Sequence, residues 1–265
     1  MSRRPEGLDQ RDYVQSLERG LSVILAFSDH RPRLTLTEVA AAAGLSRPTA
    51  RRLLITLEAL GYVRANGRGY VLTPRILTLG YAYLNSLDLR EIAQPVMEQI
   101  VAEVRETCTL ATLDGSDIVY ISRISMRRIS NLSLVIGTRL PAYASAMGQV
   151  ILADLSAEGL RHYLDTTGLE AITPHTITTP EALKERLAKI RERGWSAVDQ
   201  ELETGLRSIA APVRGGDGRV FAGLGLSSSA LTTRELLEHL PLLQDAAAEI
   251  SAGLGSEFAT RVEHH

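Results

Sequence analysis

The sequence predicts an α+β protein with two parts: a basic helical N-terminal part that ends in a short hairpin, and a larger C-terminal part built on an antiparallel sheet. Three observations support this prediction. Helix caps follow one another closely before residue 60, turn signals separate β-rich runs after residue 105, and charge is divided unevenly along the chain.

The composition is that of an ordinary globular protein, with 45% apolar and 23% charged residues in a chain of 265. The single cysteine, Cys108, excludes an internal disulfide framework and favours a reducing, cytoplasmic environment. The N-terminus has no apolar core typical of a signal peptide, and no apolar run reaches the roughly 18 residues of a membrane span. We therefore expect no membrane partner.

Charge separates the two parts of the chain. Residues 1–75 contain 12 arginines, no lysine and 7 acidic residues, a net charge of +5, whereas residues 76–265 contain 17 basic and 24 acidic residues, a net charge of −7. A basic N-terminal part is typical of a nucleic-acid-binding module. An uneven surface charge without function explains this difference about as well when the charge is considered alone.

The first predicted helix lies in the segment "YVQSLERGLSVILAFSD". Its apolar residues recur at helical spacing, which predicts a single buried stripe. That stripe consists of Val14, Leu17, Leu21, Ile24 and Leu25.

Two further helices are separated by a very short turn. Thr35 and Glu38 have the spacing of a capping box at the start of the second helix, and Gly44 is typical of a helix end. Ser46 then caps the third helix, with Pro48 in its first turn. A turn of about three residues favours the steep crossing of a helix-turn-helix unit.

The third helix has two different faces. At 100° per residue its apolar face contains Ala50, Leu53, Leu54, Leu57 and Leu60. Arg51 and Arg52 fall on the opposite face, with Thr49 and Arg47 at its flanks and no acidic residue before Glu58. Arginine can form a fork with guanine or bind phosphate, and threonine can bond to either, so this face is suited to DNA.

A basic hairpin follows the third helix. In "GYVRANGRGYVLT" two β-rich runs, residues 62–65 and 70–72, flank the turn signal "NGRG", with Arg64 and Arg68 beside the tip. Three helices and this wing predict a winged helix-turn-helix domain over residues 1–73, with double-stranded DNA as its partner. The alternative is a purely structural helical cap. The predicted DNA-contacting residues are Thr37, Ser46, Arg47, Thr49, Arg51, Arg52, Arg64 and Arg68.

Residues 74–89 predict an amphipathic helix that links two domains. It either packs on the second domain or spaces a dimer.

The C-terminal domain, residues 90–265, is predicted to contain a helix, two strands around "DGSD", a strand and loop, and a helix that begins near Ser145. Two more helices, three antiparallel strands and one long terminal helix complete the predicted α+β domain.

The sequence contains no motif that indicates catalysis. Of the six histidines, His264 and His265 adjoin in a tag-like pair and the other four lack zinc-ligand spacing, so no metal is expected. Ser145 lies in "YASAMG", which differs from a G-x-S-x-G nucleophile elbow. The glycines of "GGDGRVFAGLGL" do not precede a helix, as a dinucleotide-binding loop requires. We therefore do not expect an enzyme.

A small-molecule site is the remaining hypothesis for the C-terminal domain. The loop "RLPAYASAMG" places small and hydroxyl residues at a helix start, where free N–H groups can hold a carboxylate. Sheet core and turn residues are the alternative interpretation of the nearby strands. Polar candidates on those strands are Glu201, Arg207, Ser208, Ser227 and Ser228, and the candidate cations on the preceding strand and loop are Arg123, Arg128 and Arg139.

Five segments carry a resemblance to a known family: "SLERGLSVILAF", "LTEVAAAAGLSRPTARRLLITLEALGYV", "YVLTPRILTLGYAYL", "LPAYASAMGQVILA" and "ELETGLRSIAAPV". Over nearly its whole length the chain resembles the IclR family of bacterial transcriptional regulators. The segment "SRISMRRISNLSLVIGTRLPAYASAMG" is similar to the subgroup that controls aromatic-acid catabolism through the β-ketoadipate pathway.

The resemblance implies a winged helix, a linker helix, a C-terminal GAF-like effector-binding domain and a homodimer or homotetramer. It implies no cofactor, and an aromatic carboxylate such as protocatechuate or 4-hydroxybenzoate as effector. The recognition helix would be Ser46–Leu60. Relatives that bind small acids often have serine where Gly225 stands. The missing side chain of Gly225 would enlarge the pocket and make room for a ring. The implied pocket contains Ala144, Ser145, Ala146, Met147, Gly148, Glu201, Leu206, Arg207, Ser208, Gly225 and Ser227.

Two other functions stay open at this point. One is an enzyme that acts on an aromatic or short carboxylic acid and carries an incidental helix-turn-helix. The other is a structural DNA-associated protein without a ligand. Binding without turnover would distinguish a regulator from the enzyme, and a ligand-dependent change in operator binding would distinguish it from the structural protein.

Overall fold

A computed structural model describes residues 13–28, 31–76, 78–79, 89–125 and 136–262, with side chains except at 89–90 and 255–262. The chain divides into two compact units, residues 1–83 and 84–265. This division lies inside the predicted linker, residues 74–89. The described parts of that segment are a 3₁₀ turn, Pro74–Ile76, residues 78–79 and residue 89, so most of the predicted linker helix lies outside the described residues.

The first unit is a winged helix-turn-helix, as predicted. Its strands form an antiparallel sheet in the order β1-β3-β2. The described elements are α1 (Gln15–Leu25), β1 (Arg33–Leu34), α2 (Leu36–Ala42), α3 (Arg47–Ala59), β2 (Val63–Asn66) and β3 (Gly69–Leu72).

The predicted caps are present at both helices of the turn. Thr35 and Glu38 form a reciprocal capping box, in which the Thr35 amide donates to Glu38 Oε2 at 2.7 Å. Gly44 has a φ of +66°, the left-handed conformation that glycine adopts without steric cost. The Ser46 hydroxyl accepts from the Thr49 amide at 3.4 Å, so α3 begins where the sequence predicts.

The predicted orientation of α1 is wrong. The stripe that was expected to be buried is largely exposed, with Leu17 at 63% and Leu25 at 80% relative exposure. Val14 and Leu21 are exposed as well. The helix instead packs through Val23, which is fully buried, and through the residues that follow it. Helical spacing identified the helix but could not tell which face the neighbouring helices cover.

Two smaller features of the first unit also differ from the prediction. Leu60 ends the apolar face of α3 but is 50% exposed, because it lies at the helix C-cap. Strand β1 was not predicted; Arg33 and Leu34 pair with Val71 and Tyr70 of β3 and widen the wing to three strands. A strand of two residues carries too little periodicity to be recognised in the sequence.

The second unit has a six-stranded antiparallel sheet in the order β6-β5-β4-β9-β8-β7. Its described helices are α4 (Leu89–Val104), α5 (Ala146–Asp154), α6 (Ala157–Thr166), α7 (Pro180–Arg193), α8 (Thr233–Glu238) and α9 (Leu240–Val262). Its described strands are β4 (Thr107–Asp114), β5 (Asp117–Ile124), β6 (Arg139–Pro141), β7 (Ser196–Asp199), β8 (Arg207–Arg214) and β9 (Val220–Ser228).

Helices cover both faces of this sheet and enclose two cores. On one face, Leu110 and Leu224 of the sheet pack with Met97 of α4 and Ile250 of α9. On the other face, the start of α5 lies on β8 and β9, and α7 packs against α5. The α+β class with an antiparallel sheet is therefore confirmed.

The predicted single terminal helix is divided into α8 and α9. His239 separates them, and Pro241, which has no backbone N–H, follows in the first turn of α9. The predicted strand in "NLSLVIG" lies mostly outside the described residues. Within the described part of the chain, no helix combines the length and apolar character needed to cross a bilayer.

Cys108 gives a test of how well the second unit is packed. It lies on β4 with no exposed surface, and burial raises the pKa of its thiol to about 12. The thiolate is the form that attacks a disulfide reagent, so we expect an aromatic disulfide to react very slowly with the native protein at mildly alkaline pH and rapidly after denaturation. The rate of chromophore release with and without guanidinium measures this difference. Rapid, complete reaction of the native protein would contradict the buried position.

Candidate functional site

The outer face of α3 is a continuous basic surface. Arg47, Arg51 and Arg52 are exposed on the side opposite the buried Ala50 and Leu54. Within the described residues, none of these three arginines forms an ion pair with a carboxylate. Their guanidinium groups are therefore available to a polyanion.

The acid on this helix supports the wing. Glu58 Oε1 accepts from the backbone amide of Ala65 on β2 at 2.8 Å, which ties the end of α3 to the hairpin. Arg64 and Arg68 are exposed on β2 and in the turn, where Gly67 has a φ of +60°. Helix α3 and the wing are thus joined by a side-chain hydrogen bond.

The other predicted DNA contacts lie at the two helix starts. Thr37 is exposed in the first turn of α2, and Ser46 is exposed at the N-cap of α3. Thr49 is half-buried, and its hydroxyl lies 2.9 Å from that of Ser46. The first unit therefore contains every predicted DNA-contacting residue, all exposed except Thr49.

A cavity lies on the second unit's sheet, between its strands and the start of α5; we call it the sheet cavity. Its floor is built from two cross-strand rows. In one, Thr109 pairs with both Arg123 and Gly225. In the other, Thr107 pairs with Ser227. The lining residues are Thr107, Thr109, Tyr120, Arg123, Ala144, Ser145, Ala146, Met147, Val198, Leu202, Leu206, Ser208, Gly225 and Ser227.

The roof of the sheet cavity is a helix N-terminus. Ser145 caps α5 by accepting from the Gly148 amide at 2.9 Å. Within the described residues, the amides of Ala146 and Met147 have no hydrogen-bond partner. Free amides and the positive end of the helix dipole both favour an anion at this place.

Arg123 is the cation of the sheet cavity. Its Nε is buried and has no hydrogen-bond partner in the described part of the chain, and no described carboxylate pairs with it. Burial raises the pKa of the neighbouring Tyr120 to about 12, while the charge of Arg123 acts in the opposite direction. Tyr120 is therefore a neutral phenol beside an uncompensated guanidinium.

The sheet cavity is small in this structure. The space open to a water-sized molecule is about 30 Å³, enough for about one or two water molecules. Ligand pockets for small organic molecules are about ten times larger. A ring can therefore enter only if lining side chains move, and Met147, with three rotatable side-chain bonds, lies on the roof.

Two family profiles match the chain. The one described as "IclR helix-turn-helix domain" matches residues 16–67, and the one described as "Bacterial transcriptional regulator IclR C-terminal" matches residues 81–252. The chain belongs to the IclR family of bacterial transcriptional regulators. The resemblance inferred from the sequence is thereby confirmed.

Several characterised proteins are similar to this IclR-family chain. The "Pca regulon regulatory protein" of Pseudomonas putida is 42% identical over 243 residues, which cover 90% of this chain and 84% of that protein. The "p-hydroxybenzoate hydroxylase transcriptional activator" of Acinetobacter baylyi is 33% identical over a region that covers 92% of this chain and 93% of that protein. A solved IclR homolog from Microbacterium hydrocarbonoxydans, complexed with 4-hydroxybenzoate, has a TM-score of 0.81 at 28% identity. The match covers 91% of this chain and 99% of that structure.

The structure of this IclR-family protein brings together nine of the predicted effector-site residues. They lie on four separate segments of the chain and all line the sheet cavity. These are Arg123, Ala144, Ser145, Ala146, Met147, Leu206, Ser208, Gly225 and Ser227.

Two predicted arginines are placed elsewhere. Arg139 forms ion pairs with Asp114 and Asp117 and does not line the sheet cavity, so a direct effector contact is not supported. Arg207 pairs with Asp199 at 3.2 Å and is likewise outside the lining. Both side chains are compensated by nearby acids. Arg128 lies outside the described residues.

Three more predicted residues lie outside the lining of the sheet cavity and have structural roles. Gly148 allows α5 to pack against the backbone of the turn that precedes it, because a Cβ at this position would lie 2.2 Å from the Ala142 carbonyl oxygen. Glu201 is buried behind the wall and pairs with Arg186 at 3.1 Å. Ser228 is fully buried, and its hydroxyl caps the following turn by accepting from Leu231, in line with the alternative interpretation as a turn residue.

The predicted role of Gly225 needs correction. A Cβ at this position would lie 2.8 Å from Met147 Cγ, so the space above the glycine is already filled by Met147. Gly225 therefore makes room for the methionine on the roof of the sheet cavity. It enlarges the space for a ring only when Met147 moves.

Sequence reasoning missed five residues of the lining. Tyr120 lies three residues before Arg123 on β5, and the two share a face only because the β4–β5 register shifts between Leu110 and Ala111, which the sequence does not show. Thr107 and Thr109 are polar residues that alternate with apolar ones on β4, a pattern that places these two threonines on one face of the sheet. That alternation could have indicated them. Val198 and Leu202 carry no such signal, because an apolar residue near a strand end is equally suited to the core.

The close approach at Gly148 generates a prediction for stability. Gly148→Ala places a methyl group against the Ala142 backbone, so we expect the free energy of unfolding to fall by about 1–3 kcal/mol. Urea denaturation measures this loss. Gly168→Ala is the matched control, since no atom lies within 4 Å of the added Cβ. Equal stability of the two variants would contradict the described packing of α5.

Proposed function

We propose that this IclR-family regulator binds operator DNA through α3 and the wing, and that an aromatic carboxylate in the sheet cavity modulates the binding. The observation that carries the effector assignment is Arg123, a cation at the cavity with no described carboxylate partner. The proposed effectors belong to the class of protocatechuate and 4-hydroxybenzoate.

The DNA-binding part of the proposal rests on the exposed arginines of the first unit. The outer face of α3 combines Arg51 and Arg52 with the neighbouring Thr49 and contains no acid before Glu58. That acid is occupied by the wing backbone and does not neutralise the face. An arginine on such a face can bond to guanine in the major groove, while Arg64 and Arg68 of the wing reach phosphates or the minor groove.

The sheet cavity has separate places for a charge and a ring. A carboxylate can form a charge-assisted hydrogen bond with Arg123, with the free amides at the start of α5 as additional donors. Val198, Leu202 and Leu206 provide apolar walls for the ring. The hydroxyls of the floor, among them Ser208 and Ser227 at 3.2 Å from each other, can bond to ring hydroxyl groups.

The similar proteins support this ligand class. Two of them are described as a Pca regulon regulatory protein and a p-hydroxybenzoate hydroxylase transcriptional activator. A third was solved as a complex with 4-hydroxybenzoate. A ring-bearing acid is therefore a better candidate than a short aliphatic acid such as pyruvate.

We propose binding without turnover, in contrast to the enzyme alternative. Among the described residues that line the sheet cavity there is no histidine, lysine or carboxylate that could act as a general base. The hydroxyl of Ser145 is already engaged as the helix cap. The lining is thus suited to holding an anion.

The assembly and location of the protein belong to the same proposal. We propose a homodimer or homotetramer in the cytoplasm, with a DNA-binding domain over residues 1–73, a linker over residues 74–89 and an effector domain over residues 90–265. One winged helix makes few base contacts, and doubling it provides the specificity that a genome requires. A pseudo-palindromic or repeated operator is the expected target.

Substitution of the recognition arginines tests DNA binding. Arg51→Ala and Arg52→Ala should each weaken binding to an operator duplex by about 1–3 kcal/mol if the arginine reads a base, and relax specificity at one base pair. Fluorescence anisotropy with a duplex selected from a random pool measures both effects. Arg234→Ala, an exposed arginine on α8, is the control. Unchanged affinity in both α3 variants would refute the recognition-helix assignment.

Substitution of Arg123 tests effector binding. Arg123→Ala should raise the Kd for 4-hydroxybenzoate by about tenfold to a hundredfold, because a charge-assisted hydrogen bond is lost. Calorimetric titration of the full chain measures the change. Arg139→Ala, which removes a cation already paired with Asp114 and Asp117, should leave the Kd nearly unchanged. Equal losses in the two variants would show that general electrostatics, and not Arg123, governs binding.

A further inference from the structure

A buried carboxylate stands directly behind the wall of the sheet cavity. Glu201 is 4% exposed and does not line the cavity. Its Oε1 accepts from Arg186 Nη1 at 3.1 Å, and its Oε2 accepts from Gln149 Nε2 at 3.2 Å. Both carboxylate oxygens are therefore engaged, one by α7 and the other by α5.

Gln149 connects this carboxylate to the roof of the cavity. It is fully buried in the first turn of α5, two residues after Met147. Its Nε2 also donates to the Tyr143 carbonyl at 2.9 Å, and its Oε1 accepts from Ser196 Oγ at 2.8 Å. One amide thus joins the roof, strand β7 and the carboxylate of Glu201.

The backbone of Glu201 belongs to the loop that forms the opposite wall. This loop, residues 200–206, contributes Leu202 and Leu206 to the sheet cavity. Hydroxyls hold its start: Thr176 donates to the Glu201 carbonyl and Thr173 to the Gln200 carbonyl, both at 2.6 Å. The Glu201 side chain adds the connection from this loop to the roof.

Net stability does not explain why a charge is buried here. A buried ion pair contributes little to the free energy of folding, because desolvation offsets the attraction between the charges. Burial accordingly raises the pKa of Glu201, although Arg186 and Gln149 act in the opposite direction. The hydrogen bonds of Glu201 to Arg186 and Gln149 do fix the distances and angles between the groups that they join. Supporting residues keep a binding site in its shape by such bonds.

We propose that Glu201 is a positioning residue for the effector: through Arg186 and Gln149 it holds the loop with Leu202 and Leu206 at a fixed distance from the start of α5. That distance sets the width of the sheet cavity and hence its affinity for a ring. The inference rests on the proposed function. It adds a residue that acts on the effector without touching it.

The experiment compares Glu201→Ala and Glu201→Gln with a control on α5, the helix that contains Gln149. Calorimetric titration of the full chain with 4-hydroxybenzoate gives the Kd, and thermal unfolding without ligand gives stability. We expect Glu201→Ala to raise the Kd about tenfold. Glu201→Gln, which keeps an acceptor for Gln149, should raise it less. Asp154→Ala removes the ion pair with Arg214 at 3.1 Å at the far end of α5 and should leave the Kd unchanged.

A double substitution distinguishes positioning from general loosening. If Glu201 acts through the loop, Glu201→Ala should cost much less affinity in a Leu206→Ala background than in the native sequence, because the wall side chain is already absent. Additive effects on the Kd would overturn the inference. A Kd in both Glu201 variants equal to that of the native protein, or an equal loss in Asp154→Ala, would overturn it as well.

The outcome for the unsubstituted protein separates this inference from the function on which it rests. Failure of the native chain to bind any aromatic acid overturns the proposed effector and the role of Glu201 together. Binding by the native chain that is lost in Arg123→Ala but insensitive to Glu201 overturns the positioning role alone. Should Glu201→Ala not fold, Glu201→Gln and Arg186→Gln make the same comparison.

Discussion

The close contact between the start of α5 and the sheet is the constraint on which the second unit's site depends. Glycine is required on the sheet side of it. At Gly223 a side chain would lie 2.7 Å from the Met147 carbonyl oxygen, and at Gly225 it would lie 2.8 Å from Met147 Cγ. Because neither position has a Cβ, the helix N-terminus lies directly over the strands. The contact thereby brings the free amides of α5, the hydroxyl groups of the strands and Arg123 around the sheet cavity.

Electrostatic compensation decides which arginines can serve an anion. In the second unit, Arg139 and Arg207 lie beside acids on adjacent strands or loops and are neutralised by them. Arg123 has no such neighbour among the described residues, although it lies on the same sheet. The same distinction holds in the first unit, where Glu58 bonds to the wing and leaves the arginines of α3 uncompensated. Charge counts along the sequence do not distinguish these cases.

Local signals in the sequence predicted most of the architecture. The caps at Thr35 and Ser46, the left-handed glycine between them and the hairpin turn depend on residues within four positions of one another, so they could be recognised directly. The buried face of α1 depends on neighbours distant in the chain, and its prediction failed. Arg139 likewise meets Asp114, 25 residues away, through pairing of strands. The sequence indicated the space that the missing side chain of Gly225 leaves. It could not show that Met147 of α5 fills this space.

The small volume of the sheet cavity has a consequence for how quickly such a regulator responds. A site that must open before a ring enters binds at a rate limited by how often it opens, and its apparent affinity falls with the fraction of open molecules. The concentration at which the protein responds can then change through substitutions that alter only the opening equilibrium. Residues behind the wall could thus adapt the response to a different supply of the acid while the contacts that recognise it stay the same.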